Sequence, residues 1–188
     1  MSKTKIDNLQ GKLLLAMPDM GDPRFERSAI YILSHNDEGA MGFVINHPAE
    51  GLTLKDILQT MPEEIGRTGL VNMPIFIGGP VQGENGYVLF TAAPRSNDSE
   101  EVPVQVTQSV EILKDAARNR GPAHMRLVLG YAGWGPGQLE GELQDNAWLV
   151  AAGDQSLIFD PRPEEIWGKA VASLGIDPAL LSQSGGEA

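Results

Sequence analysis

Gly130-Tyr131-Ala132-Gly133-Trp134-Gly135-Pro136-Gly137-Gln138-Leu139-Glu140 is the stretch on which the reading of this chain turns. Four glycines within eight positions mark a backbone path that ordinary side chains do not follow, because glycine alone tolerates positive φ or the close approach of another chain segment without cost to a Cβ. Upstream, the apolar residues 125–131 predict a strand that runs directly into this loop. Downstream, residues 138–145 predict a helix. Two readings of the loop follow: a structural turn with Tyr131 and Trp134 packed over it, or a small-molecule site built on exposed N–H groups. A phosphate-binding P-loop is disfavoured, since Gln138, Leu139 and Glu140 stand where that motif needs Lys and Ser or Thr.

Working outward, residues 11–17 predict a strand between Gly11 and Pro18. Residues 28–34 and 40–46 are rich in β-branched and aromatic side chains, with Asn36-Asp37-Glu38-Gly39 as a hairpin turn between them. Thr53 followed by Asp56 is a capping arrangement for a short helix ending at Pro62. Residues 74–77 and 87–91 predict a strand pair joined at Asn85-Gly86, a strong hairpin dipeptide, with Gly78-Gly79-Pro80-Val81 where the first strand bends. Polar residues 96–101 predict a mobile surface loop, 102–106 a short strand and 107–119 a helix. Strands are expected at 148–151 and 157–159. A last helix starts at Pro163, with Ile166, Ala170 and Leu174 as its buried stripe and Gly175 at its end. Strand runs interleaved irregularly with helices indicate an α+β fold in one domain over residues 1–181, with 182–188 as a flexible tail.

The composition narrows the chemistry. The chain has 188 residues and no cysteine, which excludes disulfides, thiolate nucleophiles and thiolate metal sites. The first residues are polar and the longest apolar runs are far shorter than a bilayer span, so a cytoplasmic location is expected. With 14 basic against 25 acidic residues the net charge is −11, which repels a polyanion and disfavours direct nucleic-acid binding. The basic residues Lys114, Arg118, Arg120, His124 and Arg126 read as a solvated helix face and the strand after it. His35, His47 and His124 show no metal-ligand spacing, and no G-x-S-x-G supplies a hydrolase nucleophile. No metal, no cofactor and no catalytic residue is expected.

Three segments carry a resemblance. Gly11 to Met20 with Asp22-Pro23-Arg24-Phe25 and Gly39 to Pro48, then Gly78-Gly79-Pro80-Val81, then Gly130 to Glu140 with 146–149, are similar in kind and order to the motifs of the bacterial YqgE/AlgH family. The resemblance implies a strongly bent mixed β-sheet, approaching a barrel and flanked by helices, and it carries over no catalytic residue. The function expected is non-catalytic binding or regulation, with another protein as partner. Exposed methionines beside prolines in residues 17–23 suit an adaptable contact surface. The candidate contact residues are Met20, Asp22, Phe25, Asn46, Gly79, Tyr131, Trp134 and Gln138. The alternative is a ligand receptor or enzyme with a cleft beside the glycine loop lined by Asp22, Asn46, Tyr131, Trp134 and Gln138. The third reading, transcriptional regulation, is expected to be indirect, because no helix-turn-helix or basic stripe is present.

Overall fold

The computed structural model describes residues 7–60, 72–92 and 103–183. Nine strands form one mixed sheet: β1 (Leu13–Ala16), β2 (Ala29–Asn36), β3 (Gly39–Val44), β4 (Pro48–Thr53), β5 (Pro74–Ile77), β6 (Val81–Thr91), β7 (Val104–Thr107), β8 (His124–Trp134) and β9 (Trp148–Ala151). The described residues also form six α-helices: α1 (Leu54–Gln59), α2 (Glu111–Ala117), α3 (Gln138–Gln144), α4 (Gln155–Ile158), α5 (Pro163–Ser173) and α6 (Pro178–Gln183). The strand order is β4-β5-β8-β3-β2-β1-β9, with β6 also paired to β8 and β7 to β6. The β5–β8 pair is parallel and the others are antiparallel. The sheet curls into a half-barrel, and the single domain is α+β.

β8 makes the curl possible by serving two sets of neighbours. Its first half pairs with β5 and β6, and its last residues Ala132 to Trp134 pair with Gly42 to Ala40 of β3. The change happens at Gly130, which has φ +71°. Before it, Leu127 and Leu129 face one apolar cluster and Val128 another; after it, Tyr131 joins the cluster of Val128. An inserted left-handed residue has reset the alternation, as a bulge does. The glycine stretch is therefore strand as far as Trp134, and only Gly135 to Gly137 form the turn into α3.

The core has three parts. Leu13, Leu15, Tyr31, Phe43 and Val128 fill the inside of the curl beneath Ile166 and Ala170 of α5. On the reverse face Leu14, Ile30, Ile32 and Val44 pack with Trp134, Trp148 and Leu139 of α3. Leu54 and Leu58 of α1, Leu113 and Ala117 of α2 and Ile75, Val88 and Leu127 form the third. Because β1 is covered on both faces, its sequence is an unbroken apolar run instead of an alternating one, each buried leucine contributing about 1.5–3 kcal/mol.

Local signals place many elements correctly. Asn36 and Gly39 close the β2–β3 hairpin, where Asn36 Oδ1 accepts the Glu38 N–H at 2.8 Å. Asp56 Oδ2 accepts the Thr53 N–H at 2.8 Å at the start of α1. Four expectations are corrected. Asn85-Gly86 is no hairpin turn: it lies within β6, where Val81 opposes Tyr131 and Gly86 opposes Leu129, so that the dipeptide belongs to an outward excursion of one strand. β5 consequently pairs with β4 and β8, not with β6. Residues 157–159 are no strand; Asp154 caps a helical turn there by accepting the Ser156 N–H. Leu174 is exposed, and Trp167 and Val171 complete the buried face of α5 instead. The expected stop at Pro62 and the loop at 96–101 fall outside the described residues.

Candidate functional site

The loop from Met17 to Arg27 leaves the sheet after β1 and returns to β2. Asp22 caps a single 3-10 turn, Pro23–Phe25, by accepting the Arg24 N–H at 3.0 Å, and it also pairs with the Arg24 guanidinium at 2.7 Å. That hydrogen bond from Arg24 holds the Asp22 carboxyl below the usual carboxylate range. The turn aims Phe25 inward, edge-on to Trp148 with ring centroids 5.8 Å apart; Trp148 in turn meets Trp134 edge-on at 6.1 Å. Met20 packs against the same cluster.

One carboxylate organises these aromatics. Glu142 of α3 accepts the Trp148 indole N–H at 2.7 Å and the Trp134 indole N–H at 2.9 Å, both on Oε2, while Gln138 Nε2 donates to Oε1 at 3.0 Å. Gln138 Oε1 accepts the Gly135 N–H at 3.0 Å and so fixes the end of the glycine stretch. Nearby, His35 is buried on β2. Its Nδ1 accepts the Leu9 N–H at 3.1 Å, which requires Nε2 to carry the proton and donate to Glu140 Oε1 at 2.9 Å. Both glutamates of α3 therefore clamp the helix to the sheet. Glu142→Ala, which removes the acceptor of two indoles, is expected to cost about 1–3 kcal/mol in urea unfolding. Glu142→Gln should cost less, since the amide keeps an acceptor oxygen; a change below about 0.5 kcal/mol in both would show that solvent replaces the carboxylate.

The candidate contact residues thus fall into three places. Met20, Phe25, Trp134 and Gln138 converge on the Glu142 cluster, with Asp22 at its edge. Tyr131 lies on the other face of the sheet, edge-on to Tyr87 at 6.2 Å. Gly79 is buried against the backbone of Tyr131. Asn46 is buried near the end of the first hairpin: its Oδ1 accepts the Ala29 N–H at 2.9 Å and its Nδ2 donates to the Arg27 carbonyl at 2.8 Å. A single cleft lined by Asp22, Asn46, Tyr131, Trp134 and Gln138 is therefore not formed, because Tyr131 and Trp134, three apart on β8, face opposite sides of the sheet.

Two other clefts are present. One, of about 520 Å³, lies between the β3–β4 connection and the helices α5 and α6; Arg27, Asn46, His47, Pro163, Trp167 and Pro178 are on its walls. The second, of about 350 Å³, is bounded by Met17, Pro18, Met20, Asp22, Pro23 and again Arg27. Arg27 borders both. It has φ +49°, and its guanidinium carbon sits 5.2 Å from the centre of the Trp167 ring. Sequence reasoning missed Arg27, since no residue-type signal announces a non-glycine left-handed conformation. It also placed Arg126 on the surface. Arg126 is buried, its guanidinium donating to the carbonyls of Ile45 and Asp160 and lying 4.2 Å from the Phe76 ring centre. The signal was available: strict alternation in 125–129 puts Arg126 on the face of Val128.

Among the described residues no group of three or more His, Asp or Glu side chains is placed to hold a metal ion, and no helix is long and apolar enough to cross a membrane. Comparison with known proteins decides the family. The family profile described as AlgH-like (DUF179) matches residues 13–179. The chain belongs to the AlgH-like family. Relatives named as UPF0301 proteins include one from Ruegeria pomeroyi, 44% identical over 96% of this chain and 100% of its own length. Another, from Thioalkalivibrio sulfidiphilus, is 44% identical over 98% and 100%. The solution structure of the AlgH protein from Pseudomonas aeruginosa is similar throughout, with TM-score 0.75, 39% identity and complete coverage of both chains. A Corynebacterium diphtheriae crystal structure, 21% identical with TM-score 0.68 over 96% of this chain and 92% of its own, shares the AlgH-like fold.

Proposed function

We propose that this AlgH-like protein is a cytoplasmic, non-catalytic binding module whose partner is another protein, and that any effect on transcription passes through that partner. The observation that carries the reading is the recess along the Met17–Arg27 loop, which shares Arg27 with the cleft against helix α5. One end of the recess has methionines and prolines, side chains that adapt to varied apolar surfaces. The net charge of −11 works against a nucleic-acid occupant.

The test is selection of peptides from a displayed random library on the purified protein, followed by titration of the winners against Pro18→Glu. Pro18 is exposed on the wall of the recess, so the substitution should leave the melting temperature unchanged while weakening binding about tenfold or more. Winners that bind Pro18→Glu as well as the wild type, or a selection that yields none, would overturn the reading.

A further inference from the structure

Of the asparagines in the chain only Asn85 is followed by glycine. The dipeptide makes no hairpin turn and instead closes the outward excursion of β6. Asparagine before glycine has a chemistry of its own. The next backbone nitrogen can attack the carbon of the side-chain amide, and a glycine nitrogen is unobstructed because no Cβ flanks it. Regular secondary structure opposes the attack by engaging that nitrogen in a hydrogen bond and holding the chain extended.

The sheet leaves Gly86 outside this protection. The Gly78 N–H donates to the Leu129 carbonyl at 2.7 Å, so the backbone polar groups of Leu129 face β5 and those of Val128 face β6. Tyr87 with Val128 is therefore a hydrogen-bonded pair, whereas Gly86 with Leu129 is a non-hydrogen-bonded one, and the Gly86 N–H points away from β8. On that side the register of β6 with β7 ends at Val88 opposite Thr107, and Ser109, which would come next, donates its N–H to Thr107 Oγ1 at 3.1 Å. Residues 82–85 lie between the pairs Val81–Tyr131 and Gly86–Leu129, and Gln82, Gly83 and Glu84 are exposed, so water reaches the dipeptide. The Asn85 amide donates from Nδ2 to Gln82 Oε1 at 2.8 Å, a surface bond that water replaces readily.

We propose that Asn85 is a site of spontaneous covalent modification, at which the native protein ages by deamidation. The Gly86 nitrogen loses its proton to solvent and bonds to Asn85 Cγ; the Cγ–Nδ2 bond breaks, and Nδ2 takes up a proton and leaves as ammonia. Water then opens the succinimide at either carbonyl, giving aspartate or isoaspartate. Water is the only co-reactant. Either product sets a carboxylate in place of the donor that faced Gln82 Oε1, beside Glu84, in a chain already carrying a net charge of −11. Isoaspartate also adds a backbone atom next to the glycine crossing, where a Cβ on Gly130 would meet the Val81 carbonyl at 2.8 Å and the Gly83 Cα at 3.2 Å. The modification thus acts where the excursion packs on β8.

Incubation of the native protein at mildly alkaline pH and physiological temperature, followed by mass spectrometry of its peptides, tests the proposal. Asn85 is expected to convert about tenfold or more faster than any other asparagine, with isoaspartate among the products. Gly86→Ala is the decisive variant. Its Cβ would lie 3.6 Å from Leu127 Cδ1 and 3.9 Å from Leu129 Cδ2, ordinary contacts, so the melting temperature should be preserved while conversion slows about tenfold or more. Conversion at Asn85 no faster than elsewhere, equal rates in the wild type and Gly86→Ala, or an unchanged Asn85 after a synthetic peptide of residues 80–90 has converted completely would each overturn the proposal.

Discussion

Gly79→Ala is expected to lose more than about 3 kcal/mol of stability, enough to leave a domain of ordinary stability marginally folded. A Cβ at this position would lie 2.1 Å from the carbonyl carbon and 2.2 Å from the oxygen of Tyr131, distances at which backbone must move. Nothing around it can yield. The Gly78 N–H donates to the Leu129 carbonyl at 2.7 Å and the Gly78 carbonyl accepts the Val44 N–H at 2.8 Å, while β8 is bonded on both sides. The crossing is reciprocal, since a Cβ on Gly130 would meet the Gly79 carbonyl at 2.6 Å and the Val81 carbonyl at 2.8 Å. Urea unfolding at unchanged m measures the effect. Gly83→Ala is the control: it has open space around it and should change stability by less than about 0.5 kcal/mol. Near-native stability for Gly79→Ala would mean that the two segments can part.

Arg126→Met should cost about 2–5 kcal/mol, the second largest effect expected here. Methionine fills much of the volume and keeps contact with Phe76, so the loss isolates the polar role of the guanidinium. Two buried carbonyls, those of Ile45 and Asp160, would be left without a donor, at about 1–3 kcal/mol each. Burial pushes the Arg126 pKa down to about 10, with nearby Asp160 opposing the fall, so the side chain is still charged at neutral pH. Arg126→Lys should recover part of the loss, because an ammonium can reach one carbonyl but does not reproduce the planar fork. A cost below about 1 kcal/mol for the methionine variant would show that the carbonyls find other partners.

The glycine crossing shows where sequence reasoning reaches its limit. The four-glycine stretch announced a special backbone path, and Gly78-Gly79 announced a bend. Neither sequence states that the two glycine segments are one feature, a crossing of backbones at near-contact distance. Asn85-Gly86 misled for the same reason. Its hairpin preference is local, and the pairing of β6 along most of its length with β8 outweighs it. In 157–159 an Asp cap at 154 decided for helix over the β-like composition of Leu-Ile-Phe.

The candidate site divides in the same way. The Met-Pro loop, Trp134 and Gln138 stood out as residues exceeding packing needs, and the structure gathers Met20, Phe25, Trp134 and Gln138 around Glu142. Much of what looked functional there is a network that holds α3 and the loop to the sheet. Arg27 and His47, which border the larger cleft, flank the open end of the first hairpin, where its antiparallel register brings them together, and meet α5 only after the chain has folded back on itself.

The chain shows its α+β class, the first hairpin, the cap of α1 and the start of α5 in local patterns. These depend on turn chemistry, hydrophobic period and capping within a few residues of one another. Its ordered motifs also determined the family. Which strands pair, the change of partners along β8 and the place of Arg27 on the wall of two clefts follow from the folded chain alone. Those outcomes depend on contacts between residues far apart in the chain, where the burial of whole sheet faces outweighs local preference by several kcal/mol.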